Sequence, residues 1–137
     1  MYFNKTIPEL DVTNLNDTIK FYKTCGFKIE YERPESSFVF MSLGEIQFMF
    51  CELKEINKWE TGKLEYPFGR GINFQLEVDN VDSIYSNLKN AGYTIMVEME
   101  ENWYRQDDKL HGNKEFLVQD PDGYLLRFCE DLGSKDE

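Results

Sequence analysis

Apolar and polar positions along the chain fall into two similar series. In the first, Ile7–Val12 alternates with a period of two and reads as a short strand. From Asn14 onward the spacing becomes helical, with Ile19, Phe21 and Tyr22 as apolar positions, Asn14 as a good cap, and Gly26 where a left-handed C-terminal residue is wanted. Phe27–Glu32, Ser37–Leu43 and Glu45–Glu52 return to strand periodicity. The second series has the same order. Ile72–Val78 reads as a strand, and a helix follows from Asn80, with Val81, Ile84, Tyr85 and Leu88 as its stripe and Gly92 at its end. Phe116–Glu130 is a hairpin around Asp120-Pro121-Asp122-Gly123, where Pro121 presets φ and Gly123 tolerates a positive one. The predicted order is β-α-β-β-β, twice.

The two series also match residue by residue. Displaced by 66 positions, Asp11-Val12-Thr13-Asn14-Leu15 falls on Glu77-Val78-Asp79-Asn80-Val81, and Lys23–Ile29 falls on Lys89–Ile95. Further on the displacement is 78, which brings Phe38 onto Phe116 and Phe50-Cys51-Glu52 onto Phe128-Cys129-Glu130. The difference is an insertion of 12 residues in the second half, between Ile95 and Phe116. An internal repeat of this kind predicts two copies of one supersecondary unit. The modules span 1–65 and 72–132 of one structural domain, with 66–71 as linker, and Gly133–Glu137 reads as a disordered tail.

Strand parity assigns the faces. Leu10, Phe48, Phe50, Phe74, Leu76, Leu126 and Phe128 belong to the face that the helices cover. The other face is mixed: Glu9, Asp11, Gln47, Met49, Asn73, Gln75, Glu77 and Arg127. Such a face is either wetted, as antiparallel sheets often are, or it lines a cleft on which polar groups converge. Arg127, a long cation within an apolar strand, makes the question specific.

Net charge is −11, from 26 acidic and 15 basic residues. That balance argues against nucleic acid and against an anionic membrane surface, and it favours a cationic guest or plain solubility. No apolar run approaches the ~18 residues of a membrane helix, and MYFNKTIPEL lacks the form of a secretory signal. Cys25, Cys51 and Cys129, widely spaced and without a CxxC pair, read as reduced thiols of a cytoplasmic protein.

Three stretches carry a family resemblance: VTNLNDTIKFYKTCGFKIEYE, LEVDNVDSIYSNLKNAGY and KEFLVQDPDGYLLRF. In that order they resemble the vicinal oxygen chelate superfamily, which includes glyoxalase I, extradiol dioxygenases and bleomycin-resistance proteins. The resemblance implies an α+β fold of two βαβββ modules forming a curved mixed sheet around a cleft, helices on the outer face, commonly in a homodimer. It also implies four posts at which enzymes of the superfamily hold a metal with His and Glu. Those posts fall on Ile7, Met49, Asn73 and Arg127, and the displacements of 66 and 78 pair Ile7 with Asn73 and Met49 with Arg127. Ile7 cannot ligate, Met49 and Asn73 are poor ligands for a hard cation, and Arg127 repels one. No metal and no cofactor are expected.

His111, the single histidine, lies beside Asp107 and Asp108 without a second strong ligand in spacing, so it reads as a loop residue near the site. Cys51 and Cys129 lack a neighbouring base for nucleophilic work. The insertion EMEENWYRQDDKLHG is acidic and aromatic. Trp103 either stacks on a planar cation, with Phe38, Tyr104 and the carboxylates Glu9, Glu77 and Glu100 or Glu101 around it, or anchors a long loop. The expected ligand set is Glu9, Phe38, Met49, Asn73, Gln75, Glu77, Trp103, Tyr104, His111 and Arg127. The resemblance implies a metal-free binding protein of bleomycin-resistance type that sequesters a cationic, partly planar antibiotic. The alternatives are a glyoxalase-like metal-dependent lyase or isomerase, and a dimeric scaffold for another ligand.

Overall fold

The structure, a computed structural model, describes residues 2–54 and 59–137. Its elements are β1 (Glu9–Val12), α1 (Leu15–Thr24), β2 (Lys28–Arg33), β3 (Phe38–Leu43), β4 (Ile46–Glu52), β5 (Asn73–Glu77), α2 (Val81–Asn90), β6 (Ile95–Gln106), β7 (Lys109–Gln119) and β8 (Leu125–Asp136). Two compact units meet in sequence at Phe68 and Gly69. Each is a βαβββ module with a four-stranded mixed sheet, ordered β1-β4-β3-β2 in the first and β5-β8-β7-β6 in the second. The first strand of each module runs parallel to the last, and the other neighbours are antiparallel.

The double displacement seen in the sequence is a repeated sheet register. Leu10 pairs with Phe50, and Leu76 with Phe128; Asp11 pairs with Cys51, and Glu77 with Cys129. The repeated glutamate has a task in each module. Glu52 Oε2 accepts from the Leu15 amide at 2.9 Å, and Glu130 Oε1 accepts from the Val81 amide at 3.1 Å. Both amides are first-turn donors that a helix cannot satisfy itself, and a carboxylate there also complements the helix dipole.

The caps are those expected. Asn14 accepts from Asp17 N at 3.0 Å, and Asn80 accepts from Ser83 N at 3.2 Å. Gly26 and Gly92 follow the helix ends with φ of 106° and 89°. Replacing either asparagine by alanine is expected to cost about 1 kcal/mol of stability, read from the urea midpoint. A change within error would show that the glutamate alone secures the helix start.

Each helix covers one face of its own sheet. In the first module the Tyr22 ring packs 4.5 Å from Phe50 and 5.9 Å from Phe48. In the second, Tyr85 meets Phe116 edge-on at 5.3 Å, and Phe116 stacks on Phe128 at 5.5 Å. Lys114, on the same face, reaches Asp82 of α2 at 2.8 Å.

Two expectations are corrected. The tail is not disordered, because β8 continues to Asp136 and pairs with β7 as far as Lys109. Nor is the insertion a loop. It lengthens β6 and β7 into a hairpin that closes at Asp107 and Asp108, with Asp107 at φ 56°. Backbone pairing with the tail of β8 makes a three-stranded extension whose donors and acceptors are satisfied without an apolar pattern.

Candidate ligand-binding site

Register places the chemistry of the second module. Gln75 pairs with Arg127, and Arg127 with Leu117; Glu77 pairs with Cys129, and Cys129 with Glu115. In the extension Asn102 pairs with Asn113, and Tyr104 with His111. All share the face opposite α2. Gln75, Tyr104, Arg105, Gln106, His111, Asn113 and Arg127 line a cavity of about 450 Å3 there.

Beside Arg127 on this face lies Glu115, which is 2% exposed. Its Oε2 accepts from the Tyr104 hydroxyl, and from Asn102 Nδ2 at 2.8 Å; its Oε1 is buried without a partner. The bond to Glu115 raises the Tyr104 phenol above its ordinary pKa, burial adds to this, and Arg127 opposes it. Tyr104 is therefore a neutral donor at physiological pH. His111 Nε2 lies 3.3 Å from Asp131 Oδ1. The Cys129 thiol is pushed up to about 11, first by burial and then by Glu115 and Glu77, which removes it as a nucleophile. Burial raises Cys51 as well. The site can grip polar groups and flank a planar one; it holds no activated nucleophile.

Of the expected ligand residues, Gln75, Tyr104, His111 and Arg127 come together at this cavity. Asn73 and Glu77 lie on the same face, exposed on edge strand β5. Trp103 does not join them. It pairs with Gly112 on the opposite face, with the Lys135 ammonium 3.9 Å from its ring centroid. Glu9, Phe38 and Met49 belong to the first module, where Glu9 pairs with Met49. The Phe38 ring is 4% exposed and carries the Arg33 guanidinium at 3.9 Å. Both rings expected to stack on a guest's cation therefore already stack on cations of the chain itself. The first module also has a cavity of about 440 Å3, where Gln47 bonds the Asn4 amide and the Tyr2 carbonyl.

The sequence signature of the Glyoxalase/Bleomycin resistance protein/Dioxygenase superfamily matches residues 8–128. The chain belongs to this superfamily. A superfamily member from Vibrio splendidus 12B01 is 32% identical over 90% of this chain and 95% of its own, with a TM-score of 0.44. A hypothetical protein of S. aureus is 22% identical, covering 95% of each chain, with a TM-score of 0.71. A bleomycin resistance determinant encoded on transposon Tn5 is 19% identical, covering 95% of this chain and 99% of its own, with a TM-score of 0.62. No curated protein shows significant similarity to the chain.

Among the described residues, no group of three or more His, Cys, Asp or Glu side chains could hold a metal ion. The two second-module posts expected from the resemblance, Asn73 and Arg127, share a face, as do Gln75 and Arg127 by direct pairing. Arg105, Gln106, Asn113 and Glu115 were not singled out by the sequence. Strand parity carried a signal for Glu115, which lies two positions from Leu117 and hence on the face of Arg127. The others depended on knowing that the insertion is strand.

Proposed function

We propose that the chain is a small-molecule-binding protein of bleomycin-resistance type, without a metal at the superfamily's posts, which sequesters a cationic, partly planar antibiotic. The observation that carries this reading is Arg127 at the second-module cavity. A fixed guanidinium stands where the resemblance puts a metal ligand, and a cavity of hydrogen-bonding side chains surrounds it. The exposed Tyr104 ring offers a planar wall. The excess of acid over base, with Glu77 and Glu100 on the same face of the second sheet, supports attraction of a guest's positive charge. The protein works in the cytoplasm as a homodimer.

Calorimetric titration with bleomycin tests this; tryptophan emission is a poorer probe, since Trp103 faces away from the cavity. Saturable binding is expected, weakened about fivefold in Tyr104→Ala through loss of about 1 kcal/mol of ring contact. No heat at millimolar bleomycin, with folded protein, would reject the antibiotic reading. Protein purified without chelator is expected to carry no stoichiometric Zn, Ni, Mn or Fe. One equivalent of bound metal would shift the assignment to a glyoxalase-like lyase or isomerase.

A further inference from the structure

We infer that the second-module cavity binds its guest through an anionic head group, a carboxylate or a phosphoryl group, seated on Arg127 and Arg105. This rests on the reading of that cavity as the ligand site and names the chemistry it selects. Acidic residues outnumber basic ones 26 to 15 in the chain, yet no carboxylate lines this cavity. Its charged side chains are Arg105 and Arg127, with His111 as a third group that can carry positive charge.

Among the described residues no carboxylate forms an ion pair with Arg127. Its Nε is buried and has no hydrogen-bond partner. A part-buried guanidinium with an orphan N–H is costly unless something satisfies it. Among the described residues no neighbouring acid is bonded to Arg127, although Glu115 Oε1 too is buried without a partner. Glu115 takes the Tyr104 hydroxyl and Asn102, Asp131 takes His111 and the Gly133 amide, and Glu100 takes Asn102. Glu77 is exposed on edge strand β5.

A guanidinium fork matches the two oxygens of a carboxylate or phosphoryl group in its own plane. Gln75 and Asn113 add neutral amide donors beside it, and Tyr104 flanks a planar substituent. The positive part of a zwitterionic guest then remains outside, toward Glu77 and Glu100. The anion enters the cavity, and the acid excess acts on the remainder of the molecule.

The test uses three probes of similar shape on the full-length chain in low-chloride, phosphate-free buffer: benzoate, phenyl phosphate and the neutral benzamide. Nitrogen-15 NMR reads the side-chain amides of Gln75, Gln106 and Asn113 and the Arg127 Nε–H directly. At least one of the two anions is expected to shift these signals saturably, at least tenfold more tightly than benzamide, and the stronger of the two identifies the head group. Arg127→Met should weaken that binding at least tenfold. Exposed Arg105→Gln, which leaves the fold undisturbed, should weaken it severalfold. Equal binding of benzamide, or unchanged anion binding in both variants, would overturn the inference, as would no shift with any probe. Bleomycin binding without anion binding would overturn this inference alone. Anion binding without bleomycin binding would leave it standing and remove the antibiotic reading.

Discussion

Phe116→Ala is expected to lower the stability of the protein by about 3–5 kcal/mol, the range for deleting a buried phenylalanine from a packed core. Phe116 is fully buried; it stacks on Phe128 and receives the edge of Tyr85. It thus joins β7, β8 and α2 at one point. Val118, Leu126 and Leu88 are also fully buried. With about 1–3 kcal/mol per molar urea for a small domain, the midpoint should fall by about 1–5 M. Met96→Ala, at a position 54% exposed, is the control and should change stability by less than about 0.5 kcal/mol. A fall of less than 1 kcal/mol for Phe116→Ala would show that the second module does not unfold as a unit with its aromatic stack. In the first module the place of Phe116 is taken by Val39, which pairs with Phe50 as Phe116 pairs with Phe128, so the sequence match of Phe38 with Phe116 is one residue out of register.

That divergence shows what was legible in the sequence. The helices, their asparagine caps and the strand order were readable because each depends on local chemistry: periodicity, a capping side chain, a glycine after the last turn. The sheet register was readable because the repeat preserved pairs such as Leu10 with Phe50 and Leu76 with Phe128. The extension was not readable. The outer half of β6 and the tail of β8 are largely exposed, so they carry no apolar alternation. Their strand character comes from backbone pairing with β7, which is non-local and leaves no mark on composition.

The candidate site was legible to the same degree. Arg127 and Gln75 sit on regular strands, where parity decides the face, and both line the cavity. Trp103 and Tyr104 are adjacent, so one residue of register decides which of them faces it. Two irregularities between Ile95 and Glu100 reset the register of β6 against β7. A bulge inserts an unpaired residue and exchanges the faces beyond it. Here two bulges occur in succession and their exchanges cancel, so Trp103 returns to the face of Ile95 and Tyr104 turns to the cavity; aromatic content pointed to the right segment without saying which of the two rings faces the site. The cation over Trp103, Lys135, comes from the distant tail of β8, whereas the cation over Phe38, Arg33, is its partner across the neighbouring strand.

Gly112→Ala should be the most damaging single methyl added to the extension. A Cβ at this position would lie 2.6 Å from Trp103 Cζ3, 2.7 Å from Cη2 and 2.8 Å from Cε3. These separations are well inside van der Waals contact, so the indole has to move, and overpacking of this kind costs about 1–3 kcal/mol. The indole is not free to swing without loss, because the Lys135 ammonium lies over its ring. Where no clash exists, glycine to alanine instead stabilises by about 0.4–1 kcal/mol through the unfolded chain. The sign of the effect should therefore reverse with the partner. Gly112→Ala should destabilise the wild-type chain and be neutral or stabilising in a Trp103→Ala background, a coupling of at least about 1 kcal/mol. Thermal melts of the four proteins measure it. Additive melts would mean that the indole does not rest on Gly112. The consequence reaches the cavity, because Tyr104, Arg105, Gln106 and His111 are carried by the same two strands. Gly112→Ala should weaken ligand binding although Gly112 and Trp103 face away from the site, and the Trp103→Ala background should remove that further loss.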